Sequence, residues 1–166
     1  MGCLGVHFAL TEDEATKLRS FRKDADRLNY LQEELEDSYF SDHPDLMAES
    51  DKAWDAMHRS LTNGKLTYDR NGPLSLVVLG GEPLYYKTDY IMSLKTPAEV
   101  ESVASAIDAV TKEKLRAGYD RILAKDYGFP KSDHDFDYTW DWFQSVAELF
   151  KKAAKAKRYV LFSASQ

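Results

Sequence analysis

The hydrophobic pattern of this chain changes its period between the two ends and the middle. Short apolar runs at residues 3–10 and 159–162 are rich in residue types that favour strands. Between them, apolar residues mostly recur at every third or fourth position, which is the period of an amphipathic helix. The pattern therefore predicts an α+β fold, with a small sheet that includes the N- and C-terminal strands and is packed by about five to six helices.

Capping residues mark where three of these helices begin. Thr11 and Thr96 are each followed three residues later by a glutamate, Glu14 and Glu99. In this arrangement the threonine hydroxyl accepts a hydrogen bond from the third helical amide, and the glutamate reaches back to the amide of the threonine. Thr111 precedes a further run of apolar residues at helical spacing, so it predicts a third helix start.

Two longer helices are predicted from periodicity, one over residues 24–37 and one over residues 137–156. The acidic run Asp133-His134-Asp135-Phe136-Asp137 is predicted to be a solvated loop that precedes the second helix. Its alternating carboxylates are similar to the start of a calcium loop, but Tyr138 and Gln144 stand where that loop requires glycine and glutamate. Neither a metal nor a cofactor is predicted.

Composition narrows the class of protein. With 166 residues, of which 43% are hydrophobic and 30% charged, the chain is predicted to form a single domain over residues 1–166. The lone cysteine, Cys3, excludes an intramolecular disulfide and favours a cytoplasmic location, and no apolar stretch approaches the roughly 18 residues of a membrane span. A net charge of −6 repels phosphate backbones, so no nucleic-acid partner is predicted.

The segment from Asp51 to His58 carries the strongest candidate for chemistry. Read as one helix, it places Asp51 and Asp55 on the same arc and brings Asp55 within reach of His58. A carboxylate beside an imidazole holds its tautomer and raises its pKa, as a general base requires. Under the alternative interpretation, His58 lies in the polar seam of a core helix and Asp51 caps that helix. The residues alone leave both interpretations open.

Four aromatic residues form a second candidate set. Trp54, Tyr85, Tyr86 and Tyr90 could line a pocket or a protein-binding patch, because such rings supply a large contact area at a small entropic cost. The alternative is that these rings fill the hydrophobic core.

One block of sequence stands out among several short motifs. The block is Asp51-Lys52-Ala53-Trp54-Asp55-Ala56-Met57-His58, and it is followed by Leu61-Thr62-Asn63-Gly64, Gly72-Pro73-Leu74-Ser75 and Val78-Leu79-Gly80-Gly81. Together with the opening Met1-Gly2 and the helix start at Thr96, this pattern resembles the bacterial YfbM-like proteins, a family of unknown function, over nearly the whole chain. The resemblance implies an α+β fold with a small sheet packed by helices, and it implies no catalytic residues.

Two functions are consistent with these observations. The favoured one is a non-catalytic protein-binding protein, for example an immunity-type protein that neutralises a basic partner. It is favoured because the chain has no complete nucleophile, metal or phosphate motif and its net charge is negative. The alternative is a small hydrolase that uses Asp51, Asp55 and His58 as its acid–base groups. The sequence indicates no oligomeric state.

Overall fold

The computed structural model describes residues 3–68 and 71–166. Met1 and Gly2, which contribute to the family resemblance, lie outside the described residues, as do positions 69–70. The strands are β1 Gly5–Leu10, β2 Met47–Asp51, β3 Glu82–Pro83, β4 Tyr90–Lys95 and β5 Tyr159–Ser165.

These strands form one antiparallel sheet in the order β2-β1-β5-β4-β3. Strands β1 and β5 come from the two ends of the chain and pair along their length, with His7 opposite Phe162 and Leu10 opposite Tyr159. The prediction of an α+β fold with both terminal strands in one sheet is therefore confirmed.

The helices are α1 Glu12–Ser20, α2 Asp24–Tyr30, α3 Asp37–Asp42, α4 Trp54–Leu61, α5 Pro97–Ile107, α6 Lys112–Asp120 and α7 Asp133–Lys155. A π-helix, Leu31–Glu36, joins α2 to α3, so residues 24–42 form one continuous helix. Counted in this way, the described residues contain six helices, in agreement with the prediction. Short 3-10 turns occur at Pro44–Leu46 and Pro73–Leu76. Each helix within residues 3–68 and 71–166 is too short or too polar to span a bilayer.

The sheet separates two hydrophobic clusters, because both of its faces are covered. On β1, Phe8 and Leu10 point to the layer that contains α1, α2 and α3. His7 and Ala9 point the other way, to the layer that contains α4, α5, α6 and α7. Full burial of a side chain such as Phe8 contributes roughly 1.5–3 kcal/mol to stability, so the two clusters account for much of the hydrophobic driving force.

All three capping predictions are confirmed. The Thr11 hydroxyl accepts from the amide of Glu14 at 3.2 Å, and the Glu14 carboxylate accepts from the amide of Thr11 at 2.9 Å. Thr96 and Glu99 repeat the pair of bonds at 3.3 and 3.0 Å at the start of α5. Thr111 caps α6 through a bond of 3.2 Å from the amide of Lys114.

Helix α7 begins at Asp133, earlier than its hydrophobic period predicts. The side chain of Ser132 accepts a hydrogen bond of 3.0 Å from the amide of Asp135, and acidic side chains stand near the positive end of the helix dipole. The prediction of a solvated loop at residues 133–137 is therefore wrong, because the Ser132 cap and these carboxylates stabilise a helical turn. The helix predicted at residues 24–37 continues to Asp42 through the π-helix.

Candidate functional site

Asp51 lies at the end of β2 and not on the helix that follows it. It pairs with Gly5 at an irregularity in the ladder and has a φ of 46°, in the left-handed region. Its carboxylate accepts a hydrogen bond of 2.6 Å from the hydroxyl of Tyr138. The N-cap residue of α4 is Ala53, which has no side-chain cap. The predictions that Asp51 shares a helical face with Asp55, or caps the helix, are wrong because strand pairing holds Asp51 in the sheet.

His58 is wholly buried on α4, and both of its ring nitrogens face backbone atoms. Its Nε2 donates to the carbonyl oxygen of Thr67 at 2.7 Å, and its Nδ1 accepts from the amide of Leu79 at 3.5 Å. A backbone amide can only donate and a carbonyl oxygen can only accept, so Nδ1 is the acceptor and Nε2 the donor in this arrangement. His58 therefore connects α4 to two loop segments, and its ring is closed to solvent.

Asp55 forms an ion pair of 2.5 Å with Arg59, one turn further along α4. Burial raises the pKa of the Asp55 carboxyl, and the neighbouring guanidinium opposes this rise. Close by, the hydroxyls of Tyr119 and Tyr127 both donate to Oδ2 of Asp135, at 2.7 and 2.9 Å. These bonds connect α6, the loop after it and α7, so the polar groups around Asp55 stabilise helix packing.

A buried polar cluster that sequence reasoning missed holds residues 77–80 against the sheet. Lys95 is fully buried at the end of β4, and its Nζ donates to the carbonyl oxygens of Val78 at 2.5 Å and Ser93 at 3.2 Å. His7 is fully buried on β1, and its Nε2 donates to the carbonyl oxygen of Val77 at 2.7 Å.

Burial shifts the pKa of both bases in this cluster, because it penalises their charged forms. Removal from water, with a smaller contribution from nearby Lys95, lowers the pKa of His7 to about 3. Removal from water also lowers the pKa of Lys95 well below its usual value. The Ser93 hydroxyl adds a third link, since it lies 2.9 and 2.8 Å from the carbonyl oxygens of Leu79 and Gly80. The cluster is sealed, so its role in this structure is to position the turn.

Trp54 lies in the hydrophobic core, in line with the second interpretation of the aromatic set, and not beside the three tyrosines. Only 3% of the residue is exposed, on the side of the sheet that faces α7. Its indole nitrogen donates to the carbonyl oxygen of Cys3 at 2.7 Å, and its ring packs against Phe162 at a centroid distance of 5.6 Å. Trp54 is therefore a core residue and lines no surface with the tyrosines. Tyr85 and Tyr90 pack on the opposite side of the sheet, and the backbone of Tyr86 is bonded to Asp24 of α2 on that side.

The three tyrosines lie on or beside one loop, residues 84–90, which we call the tyrosine loop. Tyr86 is 76% exposed, whereas Tyr85 is buried and packs edge-on against Tyr90 at 6.0 Å. The amides of Tyr86 and Lys87 both donate to the carboxylate of Asp24 on α2, at 3.0 and 3.2 Å.

At its other end, the tyrosine loop is fixed by the hydroxyl of Tyr90, which donates to Glu36 of the π-helix at 3.3 Å. The loop is therefore tied to the helical layer at both ends, and it presents the ring of Tyr86 to solvent in a fixed position. π-helical turns are rare and occur frequently at functional sites, and this one lies against the tyrosine loop.

The segment that anchors the tyrosine loop, from the start of α2 to the end of β2, is strongly acidic. Residues 24–51, which we call the acidic segment, contain ten aspartates and glutamates but a single lysine or arginine, Arg27. The exposed carboxylates of this segment are Asp26, Glu33, Glu34, Asp37, Asp42, Asp45 and Glu49. With ten acidic residues and one arginine, the acidic segment carries a formal charge of −9, against −6 for the whole chain.

Comparison with known proteins places this architecture in a family. A family model for a domain of unknown function, DUF1877, matches residues 1–163. The chain belongs to this family. The crystal structure of YfbM from Escherichia coli, a protein of unknown function, aligns with 97% of this chain and 99% of its own, with a TM-score of 0.67 and 17% sequence identity. This likeness shows the fold alone. Among curated proteins, none matches the chain significantly.

The described residues of this DUF1877 chain differ in how far their polar and aromatic groups are open to solvent. Within residues 3–68 and 71–166, no group of three or more histidine, cysteine, aspartate or glutamate side chains is placed to hold a metal ion. The bases His7, His58 and Lys95 are closed to solvent. The tyrosine loop, in contrast, combines an exposed ring with nearby negative charge.

Proposed function

We propose that this chain is a non-catalytic protein-binding protein, and that its partner docks on the tyrosine loop and the adjoining part of the acidic segment. The observation that carries the proposal is the exposed ring of Tyr86 on a backbone held by Asp24. Tyrosine is enriched at the energetic centres of protein interfaces, and a ring whose backbone is already fixed loses little entropy on binding.

The charge around this surface favours a basic partner. The acidic segment would attract such a partner over several ångströms and would speed its encounter with the tyrosine loop. An immunity-type protein, which neutralises a basic toxin of bacterial origin, has these properties, and the lone cysteine agrees with a cytoplasmic site of action. We therefore expect the partner to be a basic cytoplasmic protein.

The alternative function, a small hydrolase, has no support in the geometry of its three candidate residues. Asp51 lies in β2, Asp55 is paired with Arg59, and the ring of His58 is bonded to backbone on both sides. An acid–base pair needs a group that can reach substrate and exchange a proton with it.

Affinity purification from a lysate of the source organism tests the proposed function. The wild-type chain should retain a stoichiometric basic protein, and Tyr86→Ser should weaken that complex at least about tenfold. The matched control is Leu123→Ser, since Leu123 is also an exposed apolar residue (54%) but follows α6 in the other layer. A complex that Tyr86→Ser leaves unchanged would place the binding surface elsewhere, and the absence of any partner would contradict the proposal.

A further inference from the structure

The last two turns of α7 carry exposed lysines that form no ion pair with any residue in the described ranges. Lys152 and Lys155 stand on one stripe of the helix and are exposed. Among the described residues, neither of them forms an ion pair, whereas Lys151 is paired with Asp108 at 2.5 Å. Together they edge a groove of about 890 Å³ between α5 and α7, into which Ala104 projects. We call Lys152 and Lys155 the lysine ridge.

A second surface carries the opposite charge around an exposed ring. Phe40, near the end of α3, is 46% exposed, and Asp42 and Asp45 follow it closely in the chain. Both carboxylates are exposed, and neither forms an ion pair within the described residues. We call these three residues the acidic corner.

The lysine ridge and the acidic corner are neighbours on the surface. Asp45 and Lys152 line the same groove of about 320 Å³, in which Met47 and Leu149 provide apolar area. The two opposite charges flank this groove without pairing across it. A face that carries both halves of a complementary contact side by side can bind a copy of itself around a two-fold axis, because each half then meets its complement on the other copy.

We infer that the occupant of this face is a second copy of the chain, in a two-fold symmetric dimer. Asp42 and Asp45 of each copy meet Lys152 and Lys155 of the other, and Phe40 packs over Ala104 and Ala154 in the groove between α5 and α7. The charge complementarity is satisfied twice in one contact, which a single acidic or basic partner would not achieve. The backbone of Tyr86 is anchored at Asp24, at the opposite end of the same continuous helix from Phe40, so this dimer leaves the ring of Tyr86 open.

Sedimentation velocity of the purified chain tests the dimer. At low ionic strength the mass should rise with protein concentration from 19.0 kDa towards twice that value, and added salt should reverse the rise, because exposed charges carry the contact. A wild-type chain that stays at 19.0 kDa from micromolar to millimolar concentration overturns the inference.

Charge reversal tests which residues form the contact. The ridge variant, Lys152→Glu with Lys155→Glu, and the corner variant, Asp42→Lys with Asp45→Lys, should each weaken self-association at least about tenfold. An equimolar mixture of the two variants should form a mixed dimer, because both halves of the contact are then complementary again. Failure of the mixture to associate would overturn the two-fold arrangement even where each variant alone is monomeric.

The controls reverse the same number of charges at exposed positions outside this face. They are Glu113→Lys with Asp126→Lys and Lys65→Glu with Lys125→Glu. Both pairs should leave the dimer intact, and circular dichroism should show the same helix content for all variants. A dimer that these controls weaken as much as the ridge and corner variants would show a general charge effect and would contradict the assignment. The outcome is independent of partner capture by Tyr86, so each proposal can fail alone.

Discussion

Because His7 is buried, the protein should lose stability as the pH falls. Burial lowers the pKa of His7 in the folded protein from its ordinary value of 6.5 to about 3. Below pH 6.5 the unfolded chain therefore binds a proton that the folded protein does not bind until about pH 3. The free energy of unfolding must then fall as the pH falls through this window, and His7 adds no pH dependence above it. The whole shift corresponds to about 5 kcal/mol, which is a large share of the stability of a typical domain.

Urea denaturation at a series of pH values, from about pH 7 to about pH 4, measures this contribution directly. The variant His7→Gln keeps a donor for the carbonyl oxygen of Val77 but does not titrate. It should be less stable than wild type at neutral pH, because an amide fits the imidazole site imperfectly. As the pH falls, the free energy of unfolding of His7→Gln should also decrease less steeply than that of wild type. The difference in slope should be about 1.4 kcal/mol per pH unit over the lower part of the window.

The control for this experiment is His134→Gln, because His134 is exposed on the first turn of α7. Its pH dependence should follow that of wild type. If His7→Gln and wild type lose stability in parallel between pH 6.5 and about pH 4, then His7 is not held neutral by burial and the reasoning is refuted.

Lys95 and a close helix contact give the remaining predictions. Because the pKa of Lys95 is lowered in the folded protein, Lys95 makes the free energy of unfolding rise as the pH rises towards 10.5, so Lys95→Met should lower the slope of the free energy of unfolding against pH in urea denaturation at alkaline pH. If wild type and Lys95→Met have the same slope of the free energy of unfolding against pH, then the Lys95 amine is not buried as a neutral group. At Gly118 of α6, a Cβ atom would lie 1.9 Å from the carbonyl oxygen of Ser60, so Gly118→Ala should destabilise the protein by about 3 kcal/mol or more. Gly128→Ala, at an open position, should leave Tm nearly unchanged, and equal Tm values for the two variants would contradict the close packing of α6 on α4.

Features that depend on a few neighbouring residues could be predicted from the sequence. The capping pairs at Thr11 and Thr96 have a fixed spacing, and their hydrogen bonds form within one helical turn. The terminal strands carry continuous apolar runs because both faces of the sheet are covered. The start of α7 was missed because Ser132 caps a turn whose residues are mostly acidic, so the hydrophobic period does not extend to it.

Features that depend on distant pairing could not be predicted in this way. Asp51 and Asp55 have helical spacing, yet the pairing of β2 with β1 holds Asp51 in the sheet. Lys95 stands just before a helix cap, where a lysine usually faces solvent, and only the fold places the segment 77–80 over it. The anchoring of Tyr86 by Asp24 joins residues that are far apart in the chain, and no local pattern indicates it.

We propose above that Tyr86 lies at the centre of a partner-binding surface. A photoreactive benzoylphenylalanine in place of Tyr86 tests it most directly, because the substitute keeps an aromatic ring and reacts only with groups in contact. Irradiation in the source cells should yield one discrete adduct with a basic protein, and the same substitute at Leu123 should yield none. Adducts that are equally abundant from both positions, or absent from position 86, would contradict the claim.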